Sequence, residues 1–204
     1  MPHAALRTCI EAIEALAADH DFVLVPGFKD SGPHHWQSEW QALSPVFKRI
    51  TQRRWDERAI DRWITAIERM LASCGKPAIL IGHSLGAAAA CALPEPFRHK
   101  VAGLFIVAPP EPSMFHAEDV IPTGPLYAAA VVIASHDDPV MSFARAKWFA
   151  KQWNARLVDL GEAGHINCEA GFGQWRGGLE LLETFVREDV AQRRASAAGE
   201  SASP

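Results

Sequence analysis

The stretch from Ala78 to Leu93 constrains this chain more than any other. It reads Ala-Ile-Leu-Ile-Gly-His-Ser-Leu-Gly and then an alanine-rich run. The β-formers Ile79, Leu80 and Ile81 lead straight into Gly82-His83-Ser84-Leu85-Gly86. Residues 87–93 then carry strong helix propensity until Pro94 stops them. Strand, tight turn and helix in that order form the context in which a Gly-x-Ser-x-Gly pentapeptide becomes a nucleophile elbow rather than a loop. A serine hydroxyl is a weak nucleophile at neutral pH, so it must stand clear of the backbone, near a base and near donors for an oxyanion. A sharp turn exposes it, and Gly82 and Gly86 leave room for strand and helix to pack without a Cβ clash.

Around this stretch the chain alternates strand and helix. Leu6, Cys9, Ile10, Ile13 and Leu16 recur at helical spacing and predict an amphipathic helix over 4–18 that packs on the body. Phe22 to Val25 reads as a buried strand that leaves through Pro26-Gly27-Phe28. Next comes a loop that turns into a short helix with Trp36 and Trp40 one turn apart, forming a wall of the site mouth. Residues 46–51 are a weak strand candidate, and Ile60, Trp63, Ile67, Met70 and Leu71 mark a helix. Further strands are predicted at Val101–Val107, Ala130–Ser135 and Arg156–Leu160. A helix capped by Ser142 precedes the last of them, and another carries Leu179, Leu182, Val186 and Val190 on one face. Such an order implies a mostly parallel sheet with helices on both faces. The proline-rich loop 109–128 is too short for a helical lid domain. Its Met114, Phe115 and Leu126 fit an acyl pocket and loop packing equally well.

A serine nucleophile in such a fold needs an acid and then a histidine, in that chain order. Asp137-Asp138-Pro139 follows the strand ending at Ser135, and His165 lies in the glycine-rich loop after the strand ending at Leu160. All three positions fall at strand ends, where open α/β sheets carry their sites. His165 is the expected base. Asp138 is the preferred acid, with Asp137 as the alternative and otherwise a turn-holding residue. The expected oxyanion donors are the backbone N–H groups of Leu85 and Phe28.

The formal charge of −4 over 204 residues, with a pI near 6.1, points away from nucleic acid or an anionic membrane as the main partner. Arg49, Arg53, Arg54 and Arg58 form a local basic patch that reads as a solvated face. Cys9, Cys74, Cys91 and Cys168 lack Cys-x-x-Cys spacing and are expected to be reduced. No apolar leader with a cleavage site and no run of 18 apolar residues is present, so a cytoplasmic protein is expected. His34 and His35 invite a metal reading. Adjacent histidines point in different directions, however, and no partnered Cys or carboxylate stands at ligand spacing, so neither metal nor cofactor is expected.

Several of these stretches together carry a family likeness: Gly27-Phe28 with Asp30-Ser31, His35-Trp36-Gln37-Ser38, Gly82-His83-Ser84, Asp137-Asp138-Pro139, and Gly164-His165-Ile166-Asn167 with Gly171-Phe172-Gly173-Gln174-Trp175. Over most of residues 21–187 the sequence resembles the small serine hydrolases related to retinoblastoma-binding protein nine. The resemblance implies a compact α/β-hydrolase without a large lid, a triad of Ser84, Asp138 and His165, and esterase activity on short acyl esters. The Leu-x-Cys-x-Glu motif of the namesake is absent, so retinoblastoma-type binding is not implied.

The combined expectation is a helical extension over 1–20, an α/β-hydrolase domain over 21–190 and a disordered tail over 191–204. The chemistry expected is a serine hydrolase working through an acyl-enzyme on a small-molecule ester. Amide or peptide substrates are the second reading, and a binding module with vestigial activity the third. His35, Trp36, Met114 and Phe115 are the candidate substrate-binding residues.

Overall fold

Six apolar stretches pair into one parallel sheet in the order β2-β1-β3-β4-β5-β6. The strands are β1 (Asp21–Val25), β2 (Phe47–Arg49), β3 (Ala78–His83), β4 (Val101–Val107), β5 (Ala129–Ala134) and β6 (Arg156–Asp159). The computed structural model describes residues 2–201, with side chains described for 4–199. β1, β3 and β5 are buried along their whole length, because helices cover both faces; this is why they read as continuous apolar runs.

Alternate strand residues enter different cores. On one face, Val23, Leu80, Leu104 and Val132 pack with α3 (Ile60–Ser73), α4 (Leu85–Cys91) and α6 (Phe143–Gln152). On the other, Phe22, Leu24, Ile79, Ile81 and Phe105 pack with α1 (Pro2–Leu16), α2 (Trp36–Leu43) and α7 (Arg176–Phe185). A short α5 (Glu95–Arg98) follows Pro94. Ser142 caps α6 by accepting from the Arg145 amide at 3.3 Å. The 109–128 loop holds a single 3-10 turn, Pro112–Phe115.

Both ends of the chain differ from their expected standing. The amphipathic helix over 4–18 is present, but as one of the layers: Leu6, Cys9, Ile10 and Ile13 are buried in the same core as Leu179 and Leu182 of α7. Its apolar stripe therefore closes one face of the sheet. The tail expected to be disordered continues as helix. A π-helical turn, Val186–Val190, joins α7 to α8 (Ala191–Ser201), and residues 202–204 lie outside the described part. An anchored helix has already met the cost of nucleation, so a run rich in Ala with two Arg extends it without a core of its own.

The strand order fixes where a site forms. The chain leaves β1 outward to β2, then returns across β1 to β3 on its other side. At such a switch point the connections diverge and leave a crevice at the carboxyl ends of the two strands. The loop Pro26-Gly27-Phe28 and the turn at Ser84 both emerge there.

Candidate active site

Ser84 joins β3 to α4 with φ 52° and ψ −125°, a backbone state that non-glycine residues avoid. Its surroundings over-determine this strain. The Ser84 amide donates to the Val107 carbonyl at 3.0 Å, and its own carbonyl accepts from Ala87 at 2.9 Å and Ala88 at 3.2 Å, starting the helix. The flanking glycines leave no alternative. A Cβ on Gly86 would lie 2.1 Å from the Val25 carbonyl oxygen, and one on Gly82 would lie 2.5 Å from Ala87 Cα. Both obstacles are backbone.

Gly27 brings the exit loop of β1 against the same turn. A Cβ there would sit 2.9 Å from Ser84 Cβ and 3.1 Å from the His83 carbonyl oxygen. Trp63 holds this loop by donating from Nε1 to the Pro26 carbonyl at 2.7 Å. Among the described residues the amides of Phe28 and Leu85 have no protein acceptor, although those of Lys29 and Ser84 beside them are bonded. Two free N–H groups thus flank the serine from two different strand ends.

Asp138 and His165 come from the loops that follow β5 and β6. His165 Nδ1 lies 3.0 Å from each carboxylate oxygen of Asp138, whose side chain is only 4% exposed. A carboxylate at Nδ1 orients the ring and leaves Nε2 free to exchange protons. Asp138 Oδ1 also accepts from the Val140 amide at 2.8 Å. Asp137 turns the other way. Its Oδ1 accepts from Ser135 Oγ at 2.6 Å, Ala163 N at 2.9 Å and Gly164 N at 2.8 Å, so it grips the histidine loop from below. The Ser135 hydroxyl, followed by the Gly164 amide, holds the Asp137 carboxyl below the usual carboxylate range.

The histidine loop is also held from the opposite side. His83 Nε2 lies 2.9 Å from the His165 carbonyl oxygen; a carbonyl only accepts, so His83 carries its proton on Nε2. Burial depresses its pKa well below the ordinary value and keeps it neutral. Trp36 Nε1 donates to the Ile166 carbonyl at 3.0 Å and Trp40 Nε1 to that of Gln174 at 2.9 Å. Ile166, with φ 48°, is strained like Ser84.

A family model described as serine hydrolase matches residues 22–184. The chain belongs to the serine hydrolase family. This serine hydrolase is similar to a YdeN-like hydrolase from Pectobacterium atrosepticum, at 46% identity and a TM-score of 0.86, covering 88% of this chain and 97% of that one. It is also similar to the ydeN gene product of Bacillus subtilis, at 19% identity and a TM-score of 0.65, covering 83% and 100%. A third likeness is an esterase from Thermogutta terrifontis with butyrate bound, at 15% identity and a TM-score of 0.59, covering 84% of each chain. The last two, at such low identity, speak to the fold alone. Comparison with curated protein sequences gives no match.

In this hydrolase the candidate substrate-binding residues divide. Trp36 has no exposed surface and Trp40 packs 4.7 Å from it, ring to ring, so Trp36 supports the histidine loop rather than a substrate. Bulk and a single N–H donor suit that task. His35 caps α2, with Nδ1 accepting from the Gln37 amide at 3.2 Å and its ring 4.7 Å from that of His83. Burial lowers its pKa to about 4. His34 is exposed while His35 is buried, so the adjacent pair faces opposite ways. Met114 is exposed, and Phe115 is buried with its ring 6.1 Å from Phe28.

Gln37 has a task that its sequence context does not predict. Fully buried, its Nε2 donates to the carbonyls of Val25 at 3.2 Å and Ile81 at 3.0 Å, and its Oε1 accepts from Ser31 Oγ at 2.7 Å. It thereby satisfies the two strand ends that diverge at the crevice. The only signal was a glutamine beside a core tryptophan. Arg49 also departs from the solvated patch: it is largely buried, pairs with Asp30 and donates to Ser38 Oγ and the Ser31 carbonyl, both at 2.8 Å. No helix of the described residues is long and apolar enough to cross a membrane.

Proposed function

We propose that this serine hydrolase is a carboxylesterase for small, short-chain esters, acting through Ser84, His165 and Asp138 by way of an acyl-enzyme, and that it stands close to the retinoblastoma-binding protein nine group. The observation that carries the reading is the strained Ser84 turn, flanked by the unbonded amides of Leu85 and Phe28, with the Asp138–His165 pair on the loop that His83, the residue before Ser84, bonds. His165 Nε2 takes the Ser84 proton as Oγ attacks the ester carbonyl, and the carbonyl π electrons move onto oxygen. The Leu85 and Phe28 amides receive that oxyanion. Imidazolium, stabilised by Asp138, then passes its proton to the leaving alcohol. Water repeats the sequence on the acyl-serine and releases the carboxylic acid. Gly86, Gly27 and the Asp137 bonds keep these groups in register without taking part in the chemistry.

The single short turn in the 109–128 loop supports an open pocket and soluble substrates. The free thiols of Cys9, Cys74, Cys91 and Cys168 support work in a reducing, cytosolic compartment. The test is labelling with a fluorophosphonate probe followed by a screen of p-nitrophenyl esters of rising acyl length. Stoichiometric labelling at Ser84 and highest kcat/KM on the shortest chains are expected. A folded protein that takes no label, or one that turns over only anilides, contradicts the esterase reading.

A further inference from the structure

Arg58 stands at the mouth of this site. Its guanidinium carbon lies 5.3 Å from the ring centroid of Phe28 and 5.8 Å from that of Phe115. Lys29 Nζ lies 5.8 Å from the Phe28 ring as well. Phe28 is the residue whose free amide adjoins Ser84, and its predecessor Gly27 is packed against the serine side chain. Two cations therefore gather on the ring of the residue that follows Gly27 at the serine turn.

Three of the neighbouring arginines have a carboxylate partner, whereas Arg58, like Arg53, has none among the described residues. Arg49 pairs with Asp30, and Arg54 and Arg62 both pair with Glu57. Among the described residues neither Arg58 nor Lys29 makes an ion pair. Stacking on an aromatic face positions a guanidinium without cancelling its charge, and it leaves the N–H edge free to donate. Placement is not left to a loose side chain alone. The Lys29 amide donates to the Trp55 carbonyl at 2.8 Å, which ties the loop carrying Phe28 to the segment carrying Arg58. Trp55 in turn packs edge-on against Trp63, with ring centroids 5.8 Å apart.

We propose that the substrates of this site are short esters that also bear a carboxylate, and that Arg58, with Lys29 in support, selects them. A planar carboxylate suits a guanidinium edge, and the Phe28 and Phe115 rings supply an apolar floor for the few carbons between charge and ester. This rests on the esterase reading above, since it names the substrate class of the same site.

Two ester pairs test it and tell which side of the ester carries the charge: monomethyl glutarate against methyl butyrate, and 4-acetoxybenzoate against phenyl acetate. Each kcat/KM is divided by the hydroxide-catalysed rate. The wild type should favour the charged member of at least one pair by about tenfold at low salt, the range of a partly exposed charge-assisted contact. That preference should shrink as sodium chloride is raised. Arg58→Gln should bring the ratio close to one, chiefly through KM, while Arg58→Lys keeps part of it. Reading a ratio cancels any general loss of activity. Should Arg58→Gln fail to fold, the wild-type preference and its salt dependence, with Lys29→Gln, decide alone. A wild type that hydrolyses the neutral esters without favouring either charged one overturns this proposal and leaves the esterase reading standing. So does a preference that Arg58→Gln leaves intact. Inertness toward all four esters overturns both.

Discussion

The two edges of the sheet are built from the same strands, yet they hold different kinds of structure. At the carboxyl edge, Lys29, Asp30, Ser84, Ala108 and Ile166 all have positive φ without being glycine. Buried polar side chains gather there too, among them Ser31, His35, Gln37, His83, Ser84 and Ser135. At the amino edge the bonding is ordinary. Asp21 accepts from Lys48 Nζ at 2.7 Å and the Lys76 amide at 3.1 Å, and Ala78 donates to the Lys100 carbonyl at 2.7 Å. The strained residue before β6 is Asn154, a type that tolerates the left-handed state. Strain of this kind costs on the order of 1–3 kcal/mol per residue and persists only where the surroundings enforce it. Its concentration on one edge marks where the fold gives up stability for chemistry.

Mutants at the two edges should therefore separate rate from stability, and four of them grade the contrast. Ser84→Ala should have the largest effect, a loss of about six orders of magnitude in kcat with the fold retained. Its melting temperature should not fall, since alanine removes a hydroxyl and keeps the turn. Residual esterase activity in the purified, folded variant would break the contrast at its strongest point. Asp138→Asn comes next, at about four orders of magnitude in kcat, because an amide facing Nδ1 favours the wrong imidazole tautomer.

The neighbouring Asp137→Asn should act differently although it removes the same charge. Its carboxylate bonds backbone amides of the histidine loop, and an asparagine oxygen still accepts from them, so kcat should fall by no more than about tenfold. Its pH signature is readable. A carboxyl whose folded pKa is depressed stabilises the protein above its unfolded value, and that contribution is lost as pH falls through the lower, folded one. The wild type should thus lose stability on acidification more steeply than Asp137→Asn, as followed by thermal melts between neutral pH and the carboxylate range. If Asp137→Asn proves slower than Asp138→Asn, with circular dichroism showing both folded, the acid of the triad is Asp137.

Asp21→Asn, at the quiet edge, should have the smallest effect. Burial by itself would raise the Asp21 pKa, but the Lys48 ammonium and the Lys76 amide outweigh it and hold the carboxyl low. Its stabilisation is therefore present above the unfolded carboxylate value and disappears on acidification below it. Replacing it should cost at most about 1 kcal/mol at neutral pH and leave kcat on a neutral ester unchanged. A change in kcat beyond twofold would show that the two edges are coupled.

Much of the fold was legible in the sequence, since β1, β3, β4 and β5 are short apolar runs bounded by glycine and proline, and this is a local property. β2 was weak because only Phe47 of its three residues is buried. The helix 191–201 was missed for a related reason: composition measures whether a segment can bury a core, and α8 needs only to continue α7.

By itself the sequence determined the elbow, the order of serine, acid and histidine, and the strand ends at which they emerge, since each depends on neighbours along the chain. Tertiary structure decided the rest. Asp137 and Asp138 are chemically identical and adjacent, and only the position of the β6–α7 loop sends one to backbone amides and the other to His165. Trp36 and Gln37 acquired their tasks only when β1, β3 and the histidine loop came together around them. A local pattern states what a backbone segment prefers, whereas a side chain's partner depends on which distant segment arrives beside it.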